Sequence, residues 1–243
     1  MKGIADALDA ILRAQEETQK PLAIILAGHN GSGKSTMWRR TLAGKLQIPL
    51  VNADRMMLSI LPEADGEGHL VLWAARFRDT NPDWMRVAQQ GVQAFVGHAM
   101  GAGVPFAMET VFSYWERQAD GTIASKIGLI RDMQTAGYFV LLLFVGLTSD
   151  DLSVLRVLTR VMEGGHGIDE ATLRKRFPKT QKAISEAVKV ADASVLVDNS
   201  MVLAQAFSVC RVKLGTVSLF DIRDSTRKPS PVITAWMEAV SPR

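Results

Sequence analysis

Residues 28–35 have the types and the spacing of a loop that binds the phosphates of a nucleotide. They read Gly28-His29-Asn30-Gly31-Ser32-Gly33-Lys34-Ser35 and match the pattern G-x-x-x-x-G-K-[ST]. Glycine lets backbone N–H groups turn inward around phosphate oxygens, in conformations that a side chain would obstruct. Lys34 would reach the β- and γ-phosphates, and the Ser35 hydroxyl would bind Mg²⁺. The pattern predicts an ATP site made by these eight residues and Thr36.

Acidic residues follow three of the predicted strands, where the ligands of an open parallel sheet gather. They are Asp54, Glu109 and Asp198. A kinase needs a carboxylate that orients the attacking hydroxyl and accepts its proton, and Asp54, twenty residues after Lys34, suits that role. Asp54 could instead cap a helix. Glu109 could bind the substrate or, through water, Mg²⁺, and the alternative is a structural ion pair.

Basic residues cluster on two predicted helices that a glycine pair separates. Arg156 and Arg160 are four apart and share one helix face. Beyond Gly164-Gly165 come three further cations, Arg174, Lys175 and Arg176. This pattern is typical of a lid that closes over ATP and places guanidinium groups on the charge that develops in transfer. The alternative is a solvated helical face.

The elements that must position these residues alternate between apolar runs and amphipathic segments. The predicted strands are 22–26, 48–51, 104–108, 138–145 and 193–197. The predicted helices are 3–18, 35–46, 71–78, 84–100, 123–136, 149–162 and one that begins near 169. This alternation predicts an α/β fold of the phosphate-loop kinase type: a mostly parallel central sheet with helices on both faces and a helical lid. Residues 211–222 could form a hairpin, and the last fifteen residues are ambiguous.

Composition limits the remaining function classes. The chain has 243 residues, 47% hydrophobic and 22% charged, which is ordinary for a globular enzyme. A net charge of +3 is too small to predict a nucleic-acid partner. The longest apolar run has ten residues (138–147), about half a membrane span, and the N-terminus lacks the apolar block of a signal peptide. With one cysteine, Cys210, we expect a cytoplasmic protein with no membrane partner.

The order of these motifs resembles the zeta-toxin family of phosphate-loop kinases. The resemblance covers roughly 20–200 and is carried by LAGHNGSGKST (26–36), NAD (52–54), METVFS (108–113), the Ala-Gly-Tyr before a hydrophobic strand, the arginines and DNS (198–200). It implies an ATP- and Mg²⁺-dependent kinase whose acceptor is a sugar hydroxyl of a nucleotide sugar such as UDP-N-acetylglucosamine. The family also implies an antitoxin protein as a candidate partner.

By matching position, the resemblance implies a role for several residues. Asp54 would be the catalytic base, and Lys34 and Ser35 would hold the nucleotide and Mg²⁺. Glu109 and Thr110 would contact the acceptor. The phosphate-stabilising pair would be Arg160 and Arg174, with Arg156 or Arg176 as alternatives.

Two departures from the family pattern leave the acceptor open. Asp54 is followed by Arg55-Met56-Met57-Leu58, where zeta toxins commonly have Arg and a His-Pro pair. Glu109-Thr110 is followed by Val111-Phe112-Ser113, where a more polar, basic run is expected. A kinase for another small acceptor (a nucleoside, a shikimate-like compound or an antibiotic) and a nucleotide-binding switch or ATPase therefore remain alternatives. We expect one domain, 1–243, with a core at about 20–200, a lid at about 150–177 and a C-terminal extension at 208–243.

Several other residues have two interpretations. His29 and His166 could contact phosphate, because one lies in the loop and the other beside the glycine pair. Trp73 and Trp84 could stack on a base, although packing is the simpler role. Cys210 has no neighbouring base in the sequence and is expected to be a core residue.

Overall fold

The computed structural model describes residues 3–66, 68–165, 167–202 and 205–243. The helices are α1 (Ile4–Thr18), α2 (Lys34–Met37), α3 (Ala43–Leu46), α4 (Ala53–Ser59), α5 (Leu72–Thr80), α6 (Pro82–Ala102), α7 (Ile127–Thr135), α8 (Asp150–Met162), α9 (Glu170–Val190) and α10 (Pro231–Val240). The strands are β1 (Leu22–Gly28), β2 (Leu50–Val51), β3 (Phe106–Thr110), β4 (Trp115–Arg117), β5 (Ile123–Ser125), β6 (Phe139–Gly146), β7 (Ala193–Asp198), β8 (Ser208–Leu214) and β9 (Val217–Asp221). Among these described residues, no helix is both long and apolar enough to cross a membrane.

Seven of the strands form one sheet in the order β2-β3-β1-β6-β7-β8-β9. The first five run parallel, and β8 and β9 are antiparallel. All seven residues of β1 are buried, since helices cover both faces of the sheet there. A strand buried on both faces reads as a continuous apolar run rather than an alternation, which is why 22–26 has no polar residue. The predicted α/β fold with a mostly parallel sheet is confirmed.

Two apolar layers hold the helices to the sheet, one on each face. Successive residues of a strand point to opposite faces, so Ile25 belongs to the layer that contains α6, α7, α9 and α10. Its neighbours Ile24 and Leu26 belong to the layer that contains α1 and the helical turns after the loop. With its strand held from both sides, the loop after β1 projects from the carboxyl edge of the sheet. At this edge the chain order reverses, from β3 on one side of β1 to β6 on the other, which is where ligands bind in open α/β sheets.

Helices α8 and α9, which contain the predicted lid, begin at capping residues that the sequence shows. Ser149 accepts a hydrogen bond from the Asp151 N–H at the start of α8, and Asp169 accepts one from the Thr172 N–H at the start of α9. Val154 and Val157 of α8 pack against Leu173 of α9 in a small separate core. The two helices are thus joined to each other by their own apolar contact.

The predicted helix over 123–136 is wrong at its beginning. Residues 123–125 form β5, which pairs with β4 in an antiparallel hairpin, and α7 begins only at Ile127. The hairpin turns at Gly121, whose φ of 83° lies in the left-handed region. Asp120 stabilises this turn by accepting a hydrogen bond from the Thr122 N–H at 2.9 Å. Local turn chemistry therefore overrides the helical pattern.

The C-terminal segment completes the sheet. The predicted hairpin over 211–222 is confirmed as β8 and β9, and β8 pairs with β7. The ambiguous last fifteen residues contain α10, which begins after Ser230 with Pro231 in its first turn. Trp236 of α10 is 3% exposed and stacks on Phe144, with ring centroids 6.1 Å apart. This helix covers part of the face of the sheet next to the loop.

Candidate active site

The loop between β1 and α2 has a backbone that requires glycine at three positions. A Cβ on Gly28 would lie 2.3 Å from the carbonyl oxygen of Val145 on β6, a distance at which something must shift. Gly31 and Gly33 have φ values of 70° and 89°, which residues with a Cβ rarely adopt. The loop therefore has a conformation that residues with a Cβ could not adopt at these three positions without strain or displacement of a neighbour.

Lys34 closes this loop from the inside. Its Nζ donates hydrogen bonds to the carbonyl oxygens of Gly28 and His29, at 3.1 Å and 2.9 Å, and its side chain is buried. Burial lowers the pKa of the ammonium group, the charges of Glu109 and Asp54 raise it, and the charge of Arg160 lowers it. Three charged residues from separate segments therefore act on the same ammonium group.

Ser35 and Glu109 meet beside the loop. The Ser35 hydroxyl lies 2.9 Å from both carboxylate oxygens of Glu109 and donates to that carboxylate. Glu109 reaches this position because β3 pairs with β1 in a register that sets Glu109 beside Leu26. Magnesium prefers hard oxygen ligands and takes one or two from the protein together with phosphate oxygens and water. The hydroxyl and the carboxylate fit that donor set, and no group of three or more His, Cys, Asp or Glu forms a metal cage in the described residues.

Asp54 does not cap its helix. Asn52 takes that role, since its Oδ1 accepts hydrogen bonds from the backbone N–H groups of Asp54 and Arg55, at 2.8 Å and 3.2 Å. The carboxylate of Asp54 lies exposed in the first turn of α4, and its charge acts on Lys34. The alternative interpretation of Asp54 as a helix cap is therefore excluded in this structure.

Thr110 lies at the end of β3, one residue beyond Glu109, and is nearly buried. Its hydroxyl accepts a hydrogen bond from the Lys126 ammonium group, which comes from the turn between β5 and α7. The chain then turns at Phe112, whose φ of 62° is unusual for a bulky residue and whose side chain is fully buried. Lys126 is a site residue that the sequence did not indicate.

The arginines of α8 approach the loop in two ways. Arg156 donates from Nη2 to the backbone carbonyl of Asn199, at 2.7 Å, and its Cβ packs against Gly31. Arg160, one turn later, contributes its charge to the surroundings of Lys34. Arg156 therefore braces the loop, whereas Arg160 acts on Lys34 through its charge.

The two arginines of α9 have different surroundings. Arg174 forms ion pairs with Asp150, Asp151 and Glu170, at 2.8 to 2.9 Å, and about two-fifths of its side chain is exposed. Arg176 instead lines a crevice with Asn30 of the loop. In this structure Arg174 joins α8 to α9, and Arg176 is the arginine of α9 that lies beside the loop.

His29 is a buried, neutral member of the loop. Its ring stacks on Phe177 of α9, with centroids 4.0 Å apart, and its Nδ1 accepts a hydrogen bond from the Leu147 N–H. Burial and the charge of Lys34 lower the pKa of His29 to about 3. His29 therefore connects the loop to the lid as an uncharged ring. The other candidate histidine, His166, lies outside the described residues.

Polar side chains that the sequence did not single out hold the loop to its neighbours. Asn199 donates from Nδ2 to the Ser32 carbonyl at 2.8 Å, and Ser153 donates from Oγ to the Asn30 carbonyl at 2.7 Å. Asn199 was visible only as part of the strand-end sequence DNS. Its neighbour Asp198 is buried and accepts hydrogen bonds from the backbone N–H and the hydroxyl of Ser200, so it stabilises the turn after β7.

The remaining candidate residues of the sequence analysis are Thr36, Trp73, Trp84 and Cys210. Thr36 is half-buried in α2, directly after Ser35. Trp84 packs edge-on against Phe77, with ring centroids 4.9 Å apart, and Trp73 is 59% exposed on α5. Cys210 is buried on β8, where burial and the charge of Asp198 raise the pKa of its thiol to about 12.

Comparison with known proteins shows which family and which solved structures the chain is similar to. A family model described as Zeta toxin matches residues 6–223. A solved structure described as the PezAT chromosomal toxin–antitoxin system of the human pathogen Streptococcus pneumoniae is 14% identical, with a TM-score of 0.52, over 100% of this chain and 90% of that one. The AvrRxo1-ORF1:AvrRxo1-ORF2 complex with sulphate ions is 14% identical, with a TM-score of 0.59, over 98% of this chain and 70% of that one. The AvrRxo1-ORF1:-ORF2 structure with ATP is 13% identical, with a TM-score of 0.56 and the same coverage. Among curated proteins, no sequence matches the chain.

Proposed function

The chain belongs to the zeta-toxin family, and we propose that it is an ATP- and Mg²⁺-dependent kinase whose acceptor is a sugar hydroxyl of a nucleotide sugar. The observation that carries the proposal is the phosphate loop closed by buried Lys34, with the Ser35 hydroxyl on the Glu109 carboxylate beside it. The charges of Asp54, Glu109 and Arg160 all act on the Lys34 ammonium group. A base, an oxygen ligand and a guanidinium around a phosphate loop are the parts that phosphoryl transfer to an alcohol requires.

The nucleotide would be held by residues 28–36. Its phosphates would meet the backbone N–H groups of the loop, and Lys34 would exchange its carbonyl partners on Gly28 and His29 for phosphate oxygens. Ser35 and Glu109 would hold Mg²⁺, which supplies positive charge to the β- and γ-phosphates when it is bound. The hydrogen bond between their side chains keeps both sets of oxygens at one place before the nucleotide arrives.

Asp54 would act as the base. The acceptor hydroxyl oxygen forms a bond to the γ-phosphorus, and the bond from that phosphorus to the β–γ bridging oxygen breaks, so that ADP leaves with the electron pair. The hydroxyl proton passes to the Asp54 carboxylate. Because Asn52 satisfies the first N–H groups of α4, the carboxylate of Asp54 is available for the acceptor. Thr110, next to Glu109, would contact the acceptor on the other side.

The lid would supply two guanidinium groups to the phosphoryl group in transfer. Arg160 is supported by its electrostatic effect on Lys34. The resemblance implies Arg174 as the second, but Arg174 would first have to leave three carboxylates. Arg176 already lines the crevice beside Asn30, and we therefore propose Arg160 and Arg176 as the pair.

Acceptor screening by mass spectrometry tests the proposed function. The purified protein with ATP and Mg²⁺ is offered UDP-N-acetylglucosamine, other nucleotide sugars, nucleosides, shikimate and aminoglycosides. We expect the gain of one phosphoryl group on a nucleotide sugar and its loss in Asp54→Asn. Asp83→Asn is a matched control, because Asp83 follows the capping residue Asn81 of α6 as Asp54 follows Asn52.

Each outcome of the screen has a clear meaning. A product that Asp54→Asn still makes at the wild-type rate would contradict the role of Asp54. A phosphorylated nucleoside, shikimate or aminoglycoside would keep the kinase and replace its acceptor. Slow hydrolysis of bound ATP that no acceptor accelerates would favour a nucleotide-dependent switch.

We propose that residues 1–243 form one domain, because β8 pairs with β7 and the core around β6 includes Trp236 of α10. One domain predicts a single cooperative unfolding transition.

We also propose an antitoxin-like protein partner, because one similar structure is described as a toxin–antitoxin system. Such a partner, when co-expressed, should copurify with the chain and block its phosphorylation of the acceptor.

A further inference from the structure

Lys126 places a positive charge at the site from outside the phosphate loop. It follows β5 directly, and its ammonium group donates a hydrogen bond to the hydroxyl of Thr110. Thr110 is the residue next to Glu109 at the end of β3. The β4–β5 hairpin thus brings the chain back, sixteen residues later, to the strand end where the acceptor is expected.

A second cation, Arg176, lies on the same side of the loop. It lines a crevice with Asn30 and Val111, the residue that follows Thr110. Thr180, one helical turn beyond Arg176, donates a hydrogen bond to the Val111 carbonyl at 3.4 Å. Helix α9 therefore passes directly over the segment after β3, with Arg176 on the side that faces it.

No carboxylate among the described residues offsets the positive charge of Lys126. Burial, together with the charges of Arg176 and Lys34, lowers the pKa of Lys126 to about 8. Neither Lys126 nor Arg176 forms an ion pair with a carboxylate in the described part of the chain, whereas Arg174 forms three. Positive charges in a partly buried site repel one another, and an anion bound between them offsets that repulsion. The arrangement therefore favours an anionic ligand.

We propose that Lys126 binds a phosphate or diphosphate group of the acceptor, so that the enzyme selects acceptors that already carry phosphate, whereas Arg176 serves the phosphoryl group in transfer. This inference rests on the proposed kinase function. The loop amides and Lys34 would bind the ATP phosphates. Lys126 instead lies on the β3 side of the loop, where it is hydrogen-bonded to Thr110. The three residues after Thr110 carry no charge, so Lys126 supplies the cation that this segment lacks.

The test compares two lysine variants that lose the same charge. Lys126→Met removes the proposed contact, and Lys175→Met removes an exposed lysine next to Arg176. Each protein is saturated with Mg²⁺ and a non-hydrolysable ATP analogue, then titrated by calorimetry with UDP-N-acetylglucosamine, UDP and inorganic phosphate. Loss of a charge-assisted hydrogen bond predicts affinity for the phosphate-bearing probes that is about tenfold or more weaker in Lys126→Met. Lys175→Met should match the wild type, and Lys126→Arg should recover most of the binding.

Three results would overturn the inference. The first is wild-type protein, loaded with the analogue, that binds none of the phosphate-bearing probes. The second is Lys126→Met that binds them as the wild type does, and the third is Lys126→Met that weakens only the ATP analogue. Because these are binding measurements, they are independent of the acceptor screen, in which the absence of any phosphorylated product would contradict the proposed function instead. Thermal unfolding of Lys126→Met shows whether the variant folds. If it does not, Lys126→Gln, which loses the charge but can still donate a hydrogen bond to Thr110, takes its place in the same comparison.

Discussion

At the scale of single residues, Asn52 and Asp54 divide two tasks that either side chain could perform. Both residue types cap helices well. Here the amide oxygen of Asn52 accepts the two N–H hydrogen bonds, and the carboxylate of Asp54 lies exposed in the first turn. The same division occurs at Asn81 and Asp83, far from the loop in sequence. The spacing Asn-x-Asp alone therefore identifies a helix start, and the position after β2 is what makes Asp54 a candidate base.

Acidification should destabilise the protein through His29. Its pKa is about 3 in the folded chain and 6.5 in the unfolded chain, so below pH 6.5 the unfolded state binds a proton that the folded state does not. The stability that neutral His29 contributes is complete above pH 6.5 and declines as the pH falls toward about 3. Chemical denaturation at a series of pH values should show a smaller decline in His29→Gln. Equal slopes for the two proteins would contradict a buried, neutral His29.

Alkaline pH should weaken acceptor binding through Lys126. The groups that face its ammonium are the Thr110 hydroxyl on β3, Arg176 on α9 and Lys34 of the loop. With a pKa of about 8, Lys126 loses its positive charge as the pH rises through that value. Its attraction for a phosphate group is lost at the same time. The KM for a phosphorylated acceptor should rise between about pH 7 and about pH 9.5. Lys126→Arg should remove this rise, because a guanidinium keeps its proton there; a rise that persists in Lys126→Arg would assign the titration to another group.

At the scale of elements, the phase of α9 decides which arginine serves the site. Residues two apart on a helix point in different directions, so Arg174 and Arg176 cannot share one role. Leu173 and Phe177 are buried on the inner face of α9, and Arg176 precedes Phe177, which stacks on His29. This packing turns Arg176 toward the loop and Arg174 toward the start of α8.

Substitution of the two arginines should therefore give different kinetics. Arg176→Met should lower kcat/KM by about tenfold to a hundredfold or more, because it removes a charge from the phosphoryl group in transfer. Arg174→Met should change it by less than about threefold, since Arg174 is engaged with three carboxylates in partly exposed ion pairs, which contribute little, and does not face the loop. Steady-state kinetics with a fixed acceptor measures both. A larger loss in Arg174→Met would mean that Arg174 leaves its carboxylates when the lid closes.

Sequence patterns identified the elements that have long or one-sided apolar faces. Strands β1 and β6 are uninterrupted apolar runs, and β7 is apolar except for Ser194 and its last residue, Asp198. The loop after β1 has a motif whose spacing determines its place. The β4–β5 hairpin was missed because its three-residue strands are too short to show alternation. Lys126 could not be recognised for the same reason, since its contact with Thr110 exists only once that hairpin has formed. The choice between Arg174 and Arg176 required the packing of α9.

At the scale of the whole molecule, the C-terminal helix reinforces the sheet beside the site. The indole of Trp236 lies so close to β6 that a Cβ on Gly146 would be 2.3 Å from it. Gly146 is therefore the residue that lets α10 approach the sheet. The next residue, Leu147, donates its N–H to His29 of the loop. Packing of the last helix and the position of the loop are thus connected through two consecutive residues of β6 and the turn after it.

Loss of this packing should destabilise the whole domain. Trp236→Ala should lower the free energy of unfolding by about 3–5 kcal/mol, because it removes a large buried side chain and leaves a cavity. Trp73→Ala, at an indole that is 59% exposed, should cost less than about 1 kcal/mol. Urea denaturation followed by circular dichroism measures both. Equal effects of the two substitutions would contradict the buried position of Trp236.

The chain carries one thiol, and its position makes it a natural reporter of opening. Cys210 is buried on β8, beside the end of β7 that leads into Asn199, and its raised pKa keeps it protonated at neutral pH. Alkylating reagents react with thiolates, so they can modify Cys210 only when β8 separates from β7 or the domain unfolds. The rate of alkylation therefore counts these separations without any introduced label. Since Asn199 holds the Ser32 carbonyl, a nucleotide that tightens the loop should slow that rate.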